Sequence, residues 1–188
     1  MAGEKGLVLL NFWVSPFGQR CLIALRVPVL LHDGRPVYES LIILNYLDDA
    51  FPDTPSLLPS DPYERSQARF WADYVDKKGT RLWKLKGEPH AQARAEMLEI
   101  LKNLDGALGD KLFFGGDVFG FVDPAFAPFT SWFHSYEKYG EFSVAEVAPR
   151  VAAWAKRCGE RESVAKSLYS PDKIYEFIGV LKKMHGVE

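Results

Sequence analysis

Ser15 stands directly before Pro16, between a short apolar run and a stretch of helical periodicity. Pro is well tolerated as a first helical residue, so Ser15 falls at the mouth of a helix. A hydroxyl there can donate to an anion, and the helix dipole favours the negative charge. An ordinary N-cap serine occupies the same place. Glu39-Ser40 repeats the arrangement. Glu39 is an acceptor for an ammonium group, and Ser40 with the helix N–H groups are donors to a carboxylate. A plain helix-capping pair is the alternative. Val27, held extended by Pro28, can pair its main chain with a peptide as an added strand would, or be an edge strand. Arg20 falls one turn into the first helix, facing a cleft or solvent. His32, His90, His134 and His185 are dispersed, and Cys21 and Cys158 lie far apart. None matches a metal-ligand spacing, so no metal is expected. Both thiols read as small buried hydrophobes in a reducing compartment.

The elements that must position these residues follow from pattern. Leu7–Phe12 is a buried strand before a turn at Val14–Phe17, and Phe17–Leu25 is a helix. Val27–Leu31 is a second strand. Asp33-Gly34 makes a hairpin turn, since these residues adopt positive φ cheaply. Pro36–Tyr38 returns, Pro36 marking a strand start or an edge. Leu41–Asp49 is a helix with Leu41, Leu44, Tyr46 and Leu47 on its apolar face. Pro52, Pro55, Pro59 and Pro62 mark a linker. Beyond it the pattern is helical: Tyr63–Lys78, His90–Leu108, Asp123–Tyr139, Val147–Arg157 and Pro171–Met184. Pro124 and Pro128 demand a helix start or a kink. The aromatic residues Phe126, Phe129, Trp132, Phe133 and Tyr136 belong mostly to a core, with one or two facing a cleft. The domains are therefore 1–51, a linker 52–62, and 63–188.

The 188 residues carry a formal net charge of −2, with 47% hydrophobic and 14% aromatic side chains. That supports a sizeable core and gives no pull toward nucleic acid or membrane. No apolar run reaches the roughly 18 residues of a membrane helix. The polar N-terminal segment Met1–Gly6 is not a signal peptide.

A small α/β unit, a proline-rich linker and a helical remainder resemble the cytosolic glutathione transferases. Phe12-Trp13-Val14-Ser15-Pro16-Phe17-Gly18-Gln19-Arg20-Cys21 is similar to the active-site segment of the plant tau class. Val27-Pro28-Val29-Leu30, Glu39-Ser40-Leu41-Ile42-Ile43-Leu44, Leu57-Leu58-Pro59-Ser60-Asp61-Pro62, Ala68-Arg69-Phe70-Trp71 and Phe113-Phe114-Gly115-Gly116-Asp117 with Phe121-Val122-Asp123 resemble further family segments. The resemblance implies an α+β thioredoxin-like N-terminal domain and an all-α helical-bundle C-terminal domain. It implies an enzyme that conjugates glutathione, its co-substrate, to hydrophobic electrophiles, as a cytoplasmic homodimer in detoxification. Ser15 would stabilise the thiolate. Val27, Glu39, Ser40 and Arg26 would bind glutathione, and Trp13, Phe17 and Arg20 would border the electrophile. Asp123 takes the place of a structural capping acid. A non-catalytic binder of apolar ligands on the same fold is the alternative. A thiol oxidoreductase is disfavoured, because Ser15 stands where such enzymes carry their first Cys.

The chain departs from the family between Cys21 and Val27, where a strand–helix–strand unit of about 30 residues is missing, leaving the thioredoxin-like domain incomplete. Leu7–Phe12 rises about 20 Å, and Phe17–Leu25 returns about 14 Å. Arg26 alone spans only about 3.5 Å. A strand from Val27 is then expected parallel to the first, whereas the family requires it antiparallel. A truncated variant with a damaged glutathione site, a rearranged sheet, or chain breaks at Arg26–Val27 and Lys78–Gly79 are the outcomes expected. At Lys78–Gly79 about one helical turn is missing, in the region of the family's acceptor pocket.

Overall fold

The computed structural model describes residues 6–10, 29–75 and 81–187. Strands β1 (Leu7–Leu10), β2 (Val29–His32) and β3 (Arg35–Tyr38) form one sheet in that order, both pairs antiparallel. Asp33 and Gly34 make the β2–β3 turn, with φ of 49° and 77°. Two positive φ values give the type I′ twist that fits a two-residue loop, so His32 pairs with Arg35. Asp33 also ties the turn to the start of β1. Its Oδ1 accepts from the Gly6 N–H at 3.0 Å, and its own N–H donates to the Gly6 carbonyl at 3.2 Å. Pro36 sits in β3, an outer strand of the described sheet, where its missing N–H is tolerated.

The expected parallel pairing of the first two strands is wrong. Leu10 pairs with Val29 and Leu7 with His32, so the chain re-enters the sheet at the end it left. The expectation carried a full strand and a shorter returning helix to the far end. The observed end points require no net travel along the strand direction. The junctions Arg26–Val27 and Lys78–Gly79 lie outside the described residues, and so do Cys21 and the helix expected over Phe17–Leu25.

Helix α1 (Ser40–Ala50) covers the sheet and turns its other side to the helical domain. Ile43, fully buried, packs with Leu30, Leu9, Val37, Tyr46 and Leu47. Its neighbour Leu44 packs instead with Leu58, Ala72, Phe121 and Ala125. Truncating Ile43 to Ala would cost about 2–5 kcal/mol.

Residues 51–61 form no helix or strand, and α2 (Pro62–Val75) follows. Then come α3 (Arg81–Lys84) and α4 (Gly87–Leu108), whose Ala93, Met97, Leu101, Leu104 and Leu108 form one buried stripe. The aromatic stretch is interrupted as its prolines demand. Pro124 lies in the first turn of α5 (Val122–Phe126). At Pro128, which lacks an N–H, the chain tightens into a 3-10 segment, Ala127–Trp132, before α6 (Phe133–Gly140). Pro149 splits the next expected helix into α7 (Val144–Val147) and α8 (Pro149–Gly159). A short α9 (Glu162–Ala165) precedes α10, Pro171–Met184, which matches its expected span.

Two buried acids hold this domain together. Asp105 on α4 accepts from the Arg150 and Val151 N–H groups at 2.8 and 3.0 Å. It thus satisfies the open N-terminus of α8 across the core. Asp123, with no exposed surface, accepts from the N–H groups of Phe114 (3.0 Å) and Gly120 (2.7 Å) and from the indole of Trp154 (2.7 Å). Trp154 stacks on Phe126 with centroids 4.6 Å apart. The structural role expected of Asp123 is what these bonds show.

Candidate functional site

The corner between β3 and α1 carries the described part of the site. Tyr38 ends the strand, and Glu39 then adopts φ 67° and ψ 125°. That region suits glycine, and a side chain held there costs on the order of 1–3 kcal/mol. Among the described residues the other non-glycine positive φ values fall at Asp33, in the hairpin turn, and at Glu141, which has ordinary left-handed geometry. Glu39 is exposed, whereas Ser40 is only 5% exposed.

The Glu39 carbonyl accepts the Ile43 N–H at 2.8 Å, but its carboxylate makes no capping bond. No acidic residue lies in the first turn of α1. The first N–H groups of a helix have no partner within it, and its dipole places partial positive charge there. An anionic group can therefore be held at Ser40, while the Glu39 carboxylate, one residue away, can take a cation. An ammonium and a carboxylate on one carbon of a ligand describe the end of an α-amino acid.

Of the residues singled out from sequence, Glu39 and Ser40 meet at this corner. Ser15, Val27, Arg26, Trp13, Phe17 and Arg20 lie outside the described residues. His32, His90 and His185 serve the fold. His32 Nδ1 lies 2.6 Å from the Tyr46 hydroxyl, His90 Nε2 2.8 Å from the Tyr139 carbonyl, and His185 Nδ1 2.8 Å from the Leu181 carbonyl. Among the described residues no group of three or more His, Cys, Asp or Glu could hold a metal ion, and no helix is long and apolar enough to cross a membrane. Cys158 is free and buried, and burial pushes its thiol up to about 12.

The aromatic layer is mostly core. Phe126, Phe129, Trp132 and Tyr136 are buried, and Phe133 is half-buried. Around them Val75, Met97 and Ile100 border a crevice of about 30 Å³, too small for an aromatic ligand of the usual pocket size. A larger cleft of about 430 Å³ is lined by Leu57, Tyr63, Gln67, Trp71, Phe114 and Phe121. It adjoins the linker at the far end of α1 from Ser40.

Comparison with known proteins fits this architecture. Residues 13–49 match the model for the glutathione S-transferase N-terminal domain, and residues 87–157 that for the C-terminal domain. The probable glutathione S-transferase GSTU1 of rice (Oryza sativa subsp. japonica) is 55% identical, with all of both chains covered. The probable glutathione S-transferase parC of tobacco (Nicotiana tabacum) is 46% identical at the same coverage. The solved structure of rice GST1 in complex with glutathione superposes with a TM-score of 0.89 at 54% identity, covering 97% of this chain and 99% of that one. The mango (Mangifera indica) tau-class enzyme gives 0.84 at 30% identity, with 93% and 98% covered. The rice GSTU1 alignment runs over 231 positions against 188 residues in this chain, so more than forty positions face gaps here. Since both chains are covered end to end, that shortfall is internal. With its strand order, its helical domain and this full-length likeness, the chain belongs to the tau class of plant glutathione S-transferases.

Proposed function

We propose that the protein joins the thiol of glutathione to hydrophobic electrophiles. The Glu39–Ser40 corner at the N-terminus of α1 is the observation that carries this. Its acceptor and donors suit the γ-glutamyl end: Glu39 takes the α-amino group, and Ser40 with the first N–H groups of α1 takes the carboxylate. The solved complex of the rice relative with glutathione supports this choice of thiol. Val27 pairs its main chain with the peptide, and Arg26 meets the glycyl carboxylate. Ser15 donates its hydroxyl to the sulfur. A free thiol has a pKa near about 8.5 and is a weak nucleophile while protonated. A hydroxyl and a helix N-terminus favour the thiolate, which attacks the electrophilic carbon as the leaving group departs. Trp13, Phe17 and Arg20 border the electrophile.

The setting we propose is detoxification in the cytoplasm by a homodimer. Tyr63 and Phe70 lie two turns apart on one face of α2, and both are exposed, as are Tyr38 and Ile42. Such aromatic surface suits contact with a second copy.

Turnover of a chlorinated nitroaromatic with glutathione tests the mechanism. Replacing Ser15→Ala should lower kcat/KM about a hundredfold. Undiminished turnover would remove Ser15 from the chemistry.

A further inference from the structure

Helix α1 carries Glu39 and Ser40 at one end and two aspartates, Asp48 and Asp49, at the other. Carboxylates oppose the helix dipole at a C-terminus, and no basic residue lies in that last turn to offset them. Asp48 is nonetheless half-buried and bonded on both oxygens. Oδ1 accepts the Leu57 N–H at 2.6 Å, and Oδ2 accepts the Ser56 hydroxyl at 2.8 Å. The Leu57 carbonyl in turn accepts the Phe121 N–H at 2.8 Å, two residues before Asp123. A second tie lies one turn nearer the corner. Asn45 donates to the Leu41 carbonyl at 2.7 Å, and its Oδ1 accepts the Arg69 Nε–H of α2 at 2.9 Å.

These bonds join α1 to the linker and to the helical domain, whereas Ile43 joins it to the sheet. Ser40 lies about 12 Å along the helix from Asp48. A tilt of about 5° about that end moves Ser40 by about 1 Å, a displacement large enough to cost a binding geometry as much as a hundredfold. We infer that Asp48, aided by the Asn45–Arg69 pair, is a positioning residue for glutathione, fixing the tilt of α1 so that the Glu39–Ser40 corner faces its ligand. The inference rests on the reading of that corner given above. It also explains an acid kept where the helix dipole disfavours it.

The test is calorimetric affinity of the full chain for glutathione, alongside thermal stability and affinity for an apolar anionic dye. Asp48→Ala removes both bonds but also an unfavourable charge and a poor helix former. It should weaken glutathione binding about tenfold while leaving dye binding within twofold. Asp48→Asn, which can still accept from Leu57, should recover most of the affinity. Asn45→Ala and Arg69→Ala should each weaken binding severalfold, and their double variant no more than either alone. Arg69 is exposed, so that variant should fold even where another does not. Glutathione affinity within twofold of wild type in Asp48→Ala and Arg69→Ala would overturn the inference, as would equal losses for glutathione and dye. Ser40→Ala separates the two ideas. Unchanged affinity there would sink the reading of the corner itself, whereas a loss there without one in Asp48→Ala would sink only the positioning role.

Discussion

Glu39 and Asp123 both stand at the start of a helix, and their carboxylates meet opposite surroundings. Asp123 is wholly buried and receives two main-chain N–H groups and an indole N–H. Burial raises its pKa, and the bonds from Phe114, Gly120 and Trp154 work against that rise. Glu39 is exposed, its carboxylate makes no capping bond, and its backbone is strained. One acid is committed to the fold. The other adds nothing visible to stability and costs some, which is the pattern of a group kept for a ligand.

Breaking the first half of this comparison should have the largest effect. Asp123→Ala leaves the Phe114 and Gly120 N–H groups and the Trp154 indole buried without a partner. At about 1–3 kcal/mol per group, urea unfolding should show a loss of at least about 3 kcal/mol. Asp105→Ala should cost about 1–2 kcal/mol, the usual cost of a lost helix cap, because α8 loses the acceptor for Arg150 and Val151.

The second half predicts the opposite sign. Glu39→Gly relieves the positive φ and should raise stability by about 1 kcal/mol, while glutathione affinity falls. A variant that loses stability would show that Glu39 serves the fold after all. Cys158 gives the smallest effect. Burial first, then the Asp123 charge, raise its thiol to about 12, against Arg157 and Arg161. A raised pKa means that the protonated thiol favours the folded state. Its contribution is complete below the ordinary value of 9.0 and is lost as pH climbs toward about 12. Cys158→Ala should flatten the alkaline decline in melting temperature over that range. In the native protein at neutral pH, mass mapping should find Cys158 unalkylated.

Local chemistry made much of this legible in the sequence. Asp33-Gly34 specified a type I′ turn, and Pro171 with the apolar spacing behind it specified α10. Glu39-Ser40 reads as a helix mouth, but the strain at Glu39 does not show, because nothing in a residue's type records its φ. Ile43 escapes a single-stripe reading because α1 has two buried sides, one toward the sheet and one toward the helical domain. The caps of α8 by Asp105 and of the Phe114–Gly120 loop by Asp123 are long-range choices, and Asp105 lies 45 residues from Arg150. The orientation of β2 does not follow from adding helix and strand lengths, because the chain returns to the end of the sheet it left.

The thiolate absorbance of glutathione bound to the wild-type chain tests the central claim most directly. At neutral pH the ultraviolet difference spectrum should show the bound sulfur ionised, at a pH where free glutathione, with a thiol near about 8.5, is mostly protonated. Glu39→Gly should lose that signal at the same glutathione concentration while remaining folded. A wild-type chain that shows no thiolate signal at any glutathione concentration would contradict the account.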